Sequence, residues 1–534
     1  MTRAEATAGA VLPLVHPFVG MDVATLLRDR AAATPSKPFF VWEPFDGPSR
    51  TWTYAAFYDE VTRVAGNLAH RGIGPGDRVM IHLDNCPEFL LSWFACAAIG
   101  AIAVTSNTRL STVELAYLAG HADVQVAITA PIYTSRVAEA APFLQWMAVT
   151  STDAGLEPAP STVPDESTSF ASLLTPASCP ARPPDPAAIV SVQYTSGTTS
   201  RPKGVAWSHA NALWGARVSA AHEDLGPDDI HLVVLPLFHT NALSYSVLPS
   251  LWVGSTFVMQ PKFSASRFWD VTVRNRCTVA SVNVFIGRIL AQREVPKHHL
   301  RLIGYGVCDP PLSGHLGVKV IGWWGMTETV SHGIVGAVHA PNRPMTMGRP
   351  ATEYELLITD DDGSPTPINE VGELLIRGHR GLSLFTRYLH DDAATAASFD
   401  DGGWFHTGDL VRLEQDGFLR FCDRIKDMLK VGGENVAASE IERVILQVSG
   451  VSEAAVVAQG DLLFGEVPVA VIVPTASAPP DLAERIHVAC MDQLADFKQP
   501  RAVHLVTDMP RATLEKVAKA ELRRRINEQL PLEP

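Results

Sequence analysis

Cysteine is scarce in this chain and has no pattern. Seven residues (Cys86, Cys96, Cys179, Cys277, Cys308, Cys422 and Cys490) are scattered over 534 positions without a Cys-x-x-Cys pair, which excludes a disulfide framework or a zinc site as the organising device. Long apolar runs are also missing. Stretches such as Phe89 to Val104 are broken by polar or small residues and fall short of the roughly 20 residues that span a bilayer. Residues 1–17 hold no apolar segment followed by a cleavage site, so no leader or membrane segment is expected and cytoplasmic residence is the default. Positive charge is in deficit: 43 Lys and Arg against 57 Asp and Glu leave a formal net charge of −14. Broad nucleic-acid binding is thereby disfavoured, because it rests on cations that neutralise phosphates, and any nucleotide must be held by a local site.

What is present is material for large cores. With 46% hydrophobic and 19% charged residues the composition is that of a globular enzyme-sized protein, and its length exceeds what one core supports, so at least two packed units are expected. From Val23 to about Thr129 an amphipathic segment (Tyr54 to Arg71) alternates with short apolar runs (Val79 to Leu83, Ala101 to Val104, Val124 to Ile128), the signature of α/β layers with parallel strands. Residues 151–186 are rich in Ser, Thr and Pro, resist regular structure and are expected to separate two subdomains. A second α/β region follows, with apolar runs at Ile189 to Val192, Leu232 to Leu235, Thr256 to Met259 and Val318 to Ile321. Near Gly372 to Arg377 short strands and Gly/Asp turns predict a small β-rich subdomain, and beyond Asp423 a compact α+β domain.

The most informative segment is Tyr194-Thr-Ser-Gly-Thr-Thr-Ser-Arg-Pro-Lys-Gly-Val205, expected between a strand and a helix that begins near His209. Its small and hydroxyl residues (Thr195, Ser196, Gly197, Thr198, Thr199) let backbone N–H groups close on phosphate oxygens, and Lys203 adds a point charge. It is not a Walker loop: the Lys precedes its Gly, and no Ser or Thr follows to take magnesium. A lone Gly-Thr-Thr is usually a flexible turn. Four further segments accompany it: Pro236-Leu-Phe-His239, Trp324-Gly-Met-Thr-Glu328, Trp404-Phe-His-Thr-Gly-Asp409, and Asp423-Arg-Ile-Lys-Asp-Met-Leu-Lys-Val-Gly-Gly-Glu-Asn435.

These five segments, in this order, resemble the adenylate-forming superfamily of acyl-CoA synthetases, adenylation domains and luciferases, over about residues 23 to 525. The variant phosphate loop is similar to the branch containing bacterial crotonobetaine/carnitine-CoA ligases, beside the fatty-acid-CoA ligase branch. The resemblance implies an α/β fold with a large domain at 1–425 and a small, mobile C-terminal domain at 426–534. It implies a two-step ligase that makes an acyl-adenylate and then an acyl thioester, using ATP, Mg²⁺, a carboxylic acid and coenzyme A. In that frame Trp324 stacks on adenine, Thr327 contacts the α-phosphate and Glu328 holds Mg²⁺, a hard cation that prefers carboxylate oxygen. Asp409 takes the ribose hydroxyls, and Arg424 makes a second ribose or phosphate contact. His239 is a gate between nucleotide and acyl sites, or else a buried core histidine. Lys516 is the lysine of adenylation, or else a solvated residue of a basic helix with Lys519 and Arg523. Lys426 is the hinge, and Gly432 and Gly433 belong to a loop that replaces Lys516 during thioester formation.

The pattern has departures. Ser200 stands for the usual Gly, Trp324 for the usual Tyr, and Glu515 for the Gly before the catalytic lysine, where a carboxylate could pair with Lys516. The acyl pocket is expected near Asn241, Ser244, Ser281 to Phe285, Gly304 to Gly306 and the segment after Met326, mildly polar in places. Two other readings stay open: an adenylation enzyme that loads a carrier protein or an amine, and a degenerate binder without turnover. A monomer and a homodimer are equally compatible with the sequence.

Overall fold

A computed structural model describes residues 16–151, 167–195, 202–360, 362–424, 427–431, 434–461, 464–494, 496–511, 517–530 and 532. The chain packs as two compact units, one reaching to Leu356 and including Ile376–Phe405, the other comprising Leu357–Leu375 and everything from His406. Among the described residues no helix is long and apolar enough to cross a membrane, and the seven cysteines are free thiols.

The first unit is built on two large sheets. Its strands are β1 (Pro38–Trp42), β2 (Arg50–Thr53), β3 (Arg78–His82), β4 (Ile102–Thr105), β5 (Val126–Thr129) and β6 (Trp146–Val149). Then come β7 (Ser167–Ser169), β8 (Ile189–Thr195), β9 (Lys203–Ser208), β10 (Ile230–Val233) and β11 (Thr256–Met259). The series ends with β12 (Val279–Ser281), β13 (Leu302–Tyr305), β14 (Lys319–Trp324), β15 (Ile334–Val335) and β16 (Arg349–Pro350). One sheet runs β16-β15-β14-β13-β12-β10-β11-β1-β2; the other runs from the strand Arg387–Tyr388 through β9-β8-β4-β3-β5-β6-β7. Strands such as β4, β5 and β11 are buried along their whole length. That is why they read as unbroken apolar runs and not as alternating ones.

Two sequence expectations change here. The 151–186 stretch does not divide the region into subdomains: β7 within it pairs in parallel with β6, and β8 after it joins the same sheet beside β4. Nor is it wholly irregular. A 3₁₀ turn, Phe170–Leu174, buries Phe170 and Leu173, and Asn67 of the helix Tyr54–His70 donates to the carbonyls of Leu173 and Thr175 at 2.9 Å. The sheets also interleave along the chain, because β1 and β2 pair with β11 and not with the neighbouring β3.

Each sheet has a topological switch point, where successive parallel strands fall on opposite sides of a central one. In one sheet it is β10, flanked by β11 and β12; in the other it is β3, flanked by β4 and β5. Open parallel sheets bind ligands at such carboxyl ends. The two ends are stapled together by Asn85, just past β3 and 2% exposed. Its Nδ2 donates to the carbonyls of Leu235 (2.9 Å) and Gln260 (3.2 Å), and its Oδ1 accepts from the Leu237 N–H (2.8 Å).

Most of a four-stranded sheet of Glu355–Thr359, Val371–Arg377, Phe405–Leu413 and Leu419–Arg424, in that order, falls in the second unit, which matches the β-rich region expected from the Gly/Asp turns. Its other sheet has five strands: Met428–Val431, Glu434–Ala437, Val451–Asp461, Gly465–Pro474 and Ala502–Leu505. One face packs the helices Ala438–Ile445 and Leu482–Gln493 through Ile441, Val444 and Ile486. The other packs the helix Lys519–Asn527 through Leu522 and Ile526.

All 11 tryptophans precede residue 405, so tryptophan fluorescence follows unfolding of the first unit alone. Asn85→Ala strands buried backbone groups and is expected to lower that unit's stability by about 2–4 kcal/mol in urea; a loss below about 0.5 kcal/mol would discount the staple. A pH effect follows from His82, whose Nδ1 lies 2.8 Å from Ser106 Oγ. Burial, and then the Arg136 charge, push its pKa down to about 3. The unfolded histidine takes a proton below about pH 6.5 and the folded one does not, so this stability is intact at neutral pH and fades as pH falls. The loss is about 2 kcal/mol between pH 7 and pH 5, and His82→Gln should flatten that slope.

Candidate functional site

The two stapled strand ends frame a crevice, and the motif residues of the first unit gather in it. After β14 the chain makes a 3₁₀ turn, Thr327–Thr329, which hands on to Val330 at φ 64° and ψ −43°. With the Ser331 N–H donating to the Thr329 carbonyl at 2.6 Å, Val330 is the centre of a tight γ-turn with positive φ, rare for a β-branched residue and costing of order 1–3 kcal/mol. It persists because surrounding groups over-determine it. Ser244 Oγ donates to the Val330 carbonyl (2.8 Å) and Tyr354 Oη to that of Thr329 (2.6 Å). The Phe385 N–H donates to the carbonyl of Glu328 (2.8 Å) and Trp207 Nε1 to that of Thr327 (2.8 Å).

Side chains from the opposite sheet complete the site. Glu328 is 4% exposed, and its Oε1 accepts from Tyr388 Oη at 2.9 Å. Lys203 Nζ stands 4.5 Å from the centroid of the same Tyr388 ring, a cation–π contact that holds an ammonium close to a buried carboxylate. Burial, then the Glu328 charge, raise the Tyr388 pKa and keep it a donor. Thr240 Oγ1 lies 3.1 Å from Thr327 Oγ1 and 3.0 Å from Gln193 Oε1. Gln193 is itself buried, and its Nε2 has no hydrogen-bond partner among the described residues.

Thr195 and Lys203 are directly paired across the β8–β9 hairpin, so the phosphate-loop segment leaves and re-enters at one place. Ser196, Gly197, Thr198, Thr199 and Ser200 lie outside the described residues. The helix does begin at His209, but β9 intervenes, so the loop connects two strands and is not a helix N-terminus. Its stems are gripped from outside: Tyr117 Oη donates to the Pro202 carbonyl (3.2 Å) and His121 Nδ1 lies 2.8 Å from Tyr194 Oη. Trp324 ends β14, buried, with its ring against Gly333. His239 is half-buried beside Phe238, their rings 4.6 Å apart, and it opens the helical run Thr240–Val253, which includes a π-helical segment Leu243–Val247.

The residues expected around an acyl group also meet. Ser281 Oγ donates to Asn241 Oδ1 at 2.5 Å, and Tyr305 Oη to the Val284 carbonyl at 3.3 Å. The Trp323 indole lies so close over Gly304 that a Cβ there would sit 1.5 Å from it.

In the second unit Asp409 is buried on its strand and pairs in register with Arg424. Thr407 Oγ1 donates to the Leu374 carbonyl (2.6 Å) and accepts from the Asp409 N–H (3.1 Å), and Gly408 takes φ 69°. This left-handed step is what the glycine of Thr-Gly-Asp supplies. Gly432, Gly433 and Lys426 fall outside the described residues, as do Glu515 and Lys516. The segment carrying the last two is anchored at its ends by the Arg511–Val517 bridge, with Arg511 clamped to Glu453 at 2.8 and 2.9 Å.

Sequence reasoning missed Tyr388, Gln193, Thr240, Tyr354 and Asn85. Each acts through a partner at least 25 positions away, and none sits in a distinctive local pattern.

Residues 27–389 match the family model of the AMP-binding enzyme, and residues 440–516 that of the AMP-binding enzyme C-terminal domain. A crotonobetaine/carnitine–CoA ligase of Salmonella paratyphi C (strain RKS4594) is 33% identical over 524 residues, covering 94% of this chain and 99% of that protein. Among solved structures, ATP-bound MatB from Rhodopseudomonas palustris has a TM-score of 0.84 at 26% identity, over 96% of this chain and 100% of its own. The O-succinylbenzoate Coenzyme A synthetase from Bacillus subtilis, in complex with ATP and magnesium ion, has a TM-score of 0.81 at 28% identity, over 93% and 98%.

Proposed function

Because this chain belongs to the AMP-binding enzyme family, with acyl-CoA ligases as its relatives, we propose that it joins a carboxylic acid to coenzyme A at the expense of ATP. A carboxylate oxygen attacks the α-phosphorus, the α–β bridge breaks and pyrophosphate leaves. The thiol of coenzyme A, giving up its proton, then attacks the carbonyl carbon of the acyl-adenylate and AMP leaves. The observation that carries this reading is the clamped Thr327-Glu328 turn with Lys203 beside it: a hydroxyl, a carboxylate and an ammonium held by both sheets at the crevice.

The donor set fits a hard divalent cation, since the Glu328 carboxylate is buried and one of its oxygens is fixed by a neutral tyrosine. Mg²⁺ bound there would offset the negative charge that collects on pyrophosphate. The protein's own role is positional. Lys203, steadied over Tyr388, places positive charge near the leaving group. Thr327, its hydroxyl 3.1 Å from that of Thr240, contacts an α-phosphate oxygen. Trp324 offers its ring to adenine, and Asp409 and Arg424 hold the ribose. Lys516 screens the repulsion between carboxylate and phosphate, with Thr195 to Thr199 enclosing the phosphates. His239 separates the nucleotide from the acyl group. In the second step Lys426 is the pivot, at a functional boundary between 1–425 and 426–534, and Gly432 and Gly433 admit the thiol. A cytoplasmic setting accords with seven free thiols.

Incubation with MgATP, coenzyme A and a panel of acids should release pyrophosphate and an equal amount of acyl-CoA, identified by mass. Lys516→Ala should lower adenylation about 100-fold or more, and Glu515→Gly should keep or raise it. Pyrophosphate without thioester would indicate a carrier or amine acceptor, and silence with every acid would overturn the enzymatic reading. Tyr388→Phe keeps the ring beneath Lys203 and removes only the hydroxyl on Glu328. It is expected to raise KM for MgATP about tenfold, and an unchanged KM would remove Tyr388 from the site.

A further inference from the structure

The end of one helix touches three separate pieces of the proposed site. The helix Thr112–His121 starts from a capping box on Ser111. It stops in a left-handed step at Asp123 (φ 47°), with the Val124 N–H donating to the Ala119 carbonyl at 3.2 Å. That closure fixes the direction in which the last turn projects its side chains. Tyr117 Oη donates to the Pro202 carbonyl at 3.2 Å, His121 Nδ1 is hydrogen-bonded to Tyr194 Oη at 2.8 Å, and Asp123 Oδ2 lies 3.1 Å from His390 Nε2.

The three targets are the places where the site is built. Tyr194 precedes Thr195 and Pro202 precedes Lys203, so the first two contacts hold both stems of the phosphate loop at the point where the β8–β9 ladder ends. The Tyr194 ring also abuts the residue after Lys203, since a Cβ on Gly204 would sit 3.2 Å from its Cζ and 3.3 Å from Leu389. The third contact holds the chain just past Tyr388. His390 takes φ 53°, and the N–H of the intervening Leu389 donates to the Gly204 carbonyl at 2.7 Å. Residues other than glycine rarely adopt this backbone, and here two of them, Asp123 and His390, face each other. The His121 ring stands among these groups, 5.3 Å from that of Tyr117 and 5.8 Å from those of Tyr194 and His390.

A cavity of about 190 Å³ lies between the helix and the hairpin, lined by Tyr117, His121, Lys203, Tyr388 and Asp391 among others. Across such a gap there are few atoms in van der Waals contact, so the spacing of helix and hairpin rests on the hydrogen bonds more than on packing. Lys203 and Tyr388 border the same gap. A shift of the hairpin against the helix therefore moves the ammonium and the phenol that donates to Glu328.

Resting on the ligase reading above, we propose that this helix end is an external splint of the triphosphate site, with His121 as its central positioning residue. His121 holds Tyr194, and through it the Lys203–Gly204 stem, at the spacing that receives the β- and γ-phosphates of MgATP. Stems fixed beforehand need not be ordered when the nucleotide binds, which lowers the cost of binding. The contribution is confined to those two phosphates; the adenine and ribose contacts proposed for Trp324 and Asp409 belong to other elements.

The test measures binding of two nucleotides to the whole protein: the Mg²⁺ complex of α,β-methylene-ATP, which cannot be cleaved at the α–β bridge, and AMP, which lacks the outer phosphates. His121→Phe keeps a flat ring against its neighbours and removes the hydrogen bond. It is expected to raise Kd for the triphosphate about three- to tenfold and to leave Kd for AMP unchanged. His121→Asn, whose amide donates or accepts near the position of Nδ1, should restore the triphosphate Kd to within about twofold of the wild type. Adding Tyr194→Phe to His121→Phe should weaken binding no further, because the two changes remove one interaction. No rise in His121→Phe, an equal rise for both nucleotides, or an asparagine variant as weak as the phenylalanine one would overturn the proposal. Should His121→Phe fail to fold, Tyr117→Phe, which removes only a hydroxyl, answers in its place: an unchanged ratio of the two Kd values overturns the proposal. A wild type that binds neither nucleotide would defeat the ligase reading itself, and this inference with it.

Discussion

The Asn85 staple is the constraint on which the first unit's chemistry depends. Two parallel sheets each open a crevice at a switch strand, and a crevice in one sheet alone offers ligands from one side. One carboxamide, buried and fully engaged with Leu235, Leu237 and Gln260, sets those openings against each other. The residues that follow then meet across the gap: Gln193 from β8 reaches Thr240 past β10, and Trp207 and Tyr388 reach the turn past β14. Separately these are ordinary loop ends. Together they bring a hydroxyl, a carboxylate and an ammonium to one place, where fixed groups can stabilise developing charge without reorganising.

The strained γ-turn at Val330 follows from the same arrangement. A relaxed chain would let Thr327 and Glu328 swing with the loop. Here hydrogen bonds from Trp207, Ser244, Tyr354 and Phe385 to four consecutive carbonyls, those of residues 327–330, leave the turn one geometry. The cost of one unfavourable residue is spread over a packed surround that would lose several bonds if it relaxed.

The second unit solves a different problem by different means. Asp409 is placed by a glycine-assisted step and by Thr407 bonding to a neighbouring strand, whereas the stretch bearing Lys516 is tethered at its ends by the clamp of Arg511 on Glu453. Both are local devices, as suits a small α+β body with helices on both faces of one sheet.

Much of this was legible in the sequence. The apolar runs at 79–83, 101–104, 124–128 and 189–192 became strands whose ends fall within one to three residues of those bounds, because a strand buried on both faces must be apolar throughout. The five ordered motifs identified the family, because each is a short contiguous segment whose residue types and order can be read without knowing the fold. What only the tertiary structure decided was everything that depends on pairing across long separations. The interleaving of β1 and β2 with β11, the hairpin strand that separates the phosphate loop from its helix, the Tyr388–Glu328 bond across 60 positions and the His121–Tyr194 bond leave no local periodicity or composition to read. A hydrogen bond constrains two side chains and leaves the residues between them free, so local chemistry is written in the order of residues, while the company each residue keeps is settled by the fold.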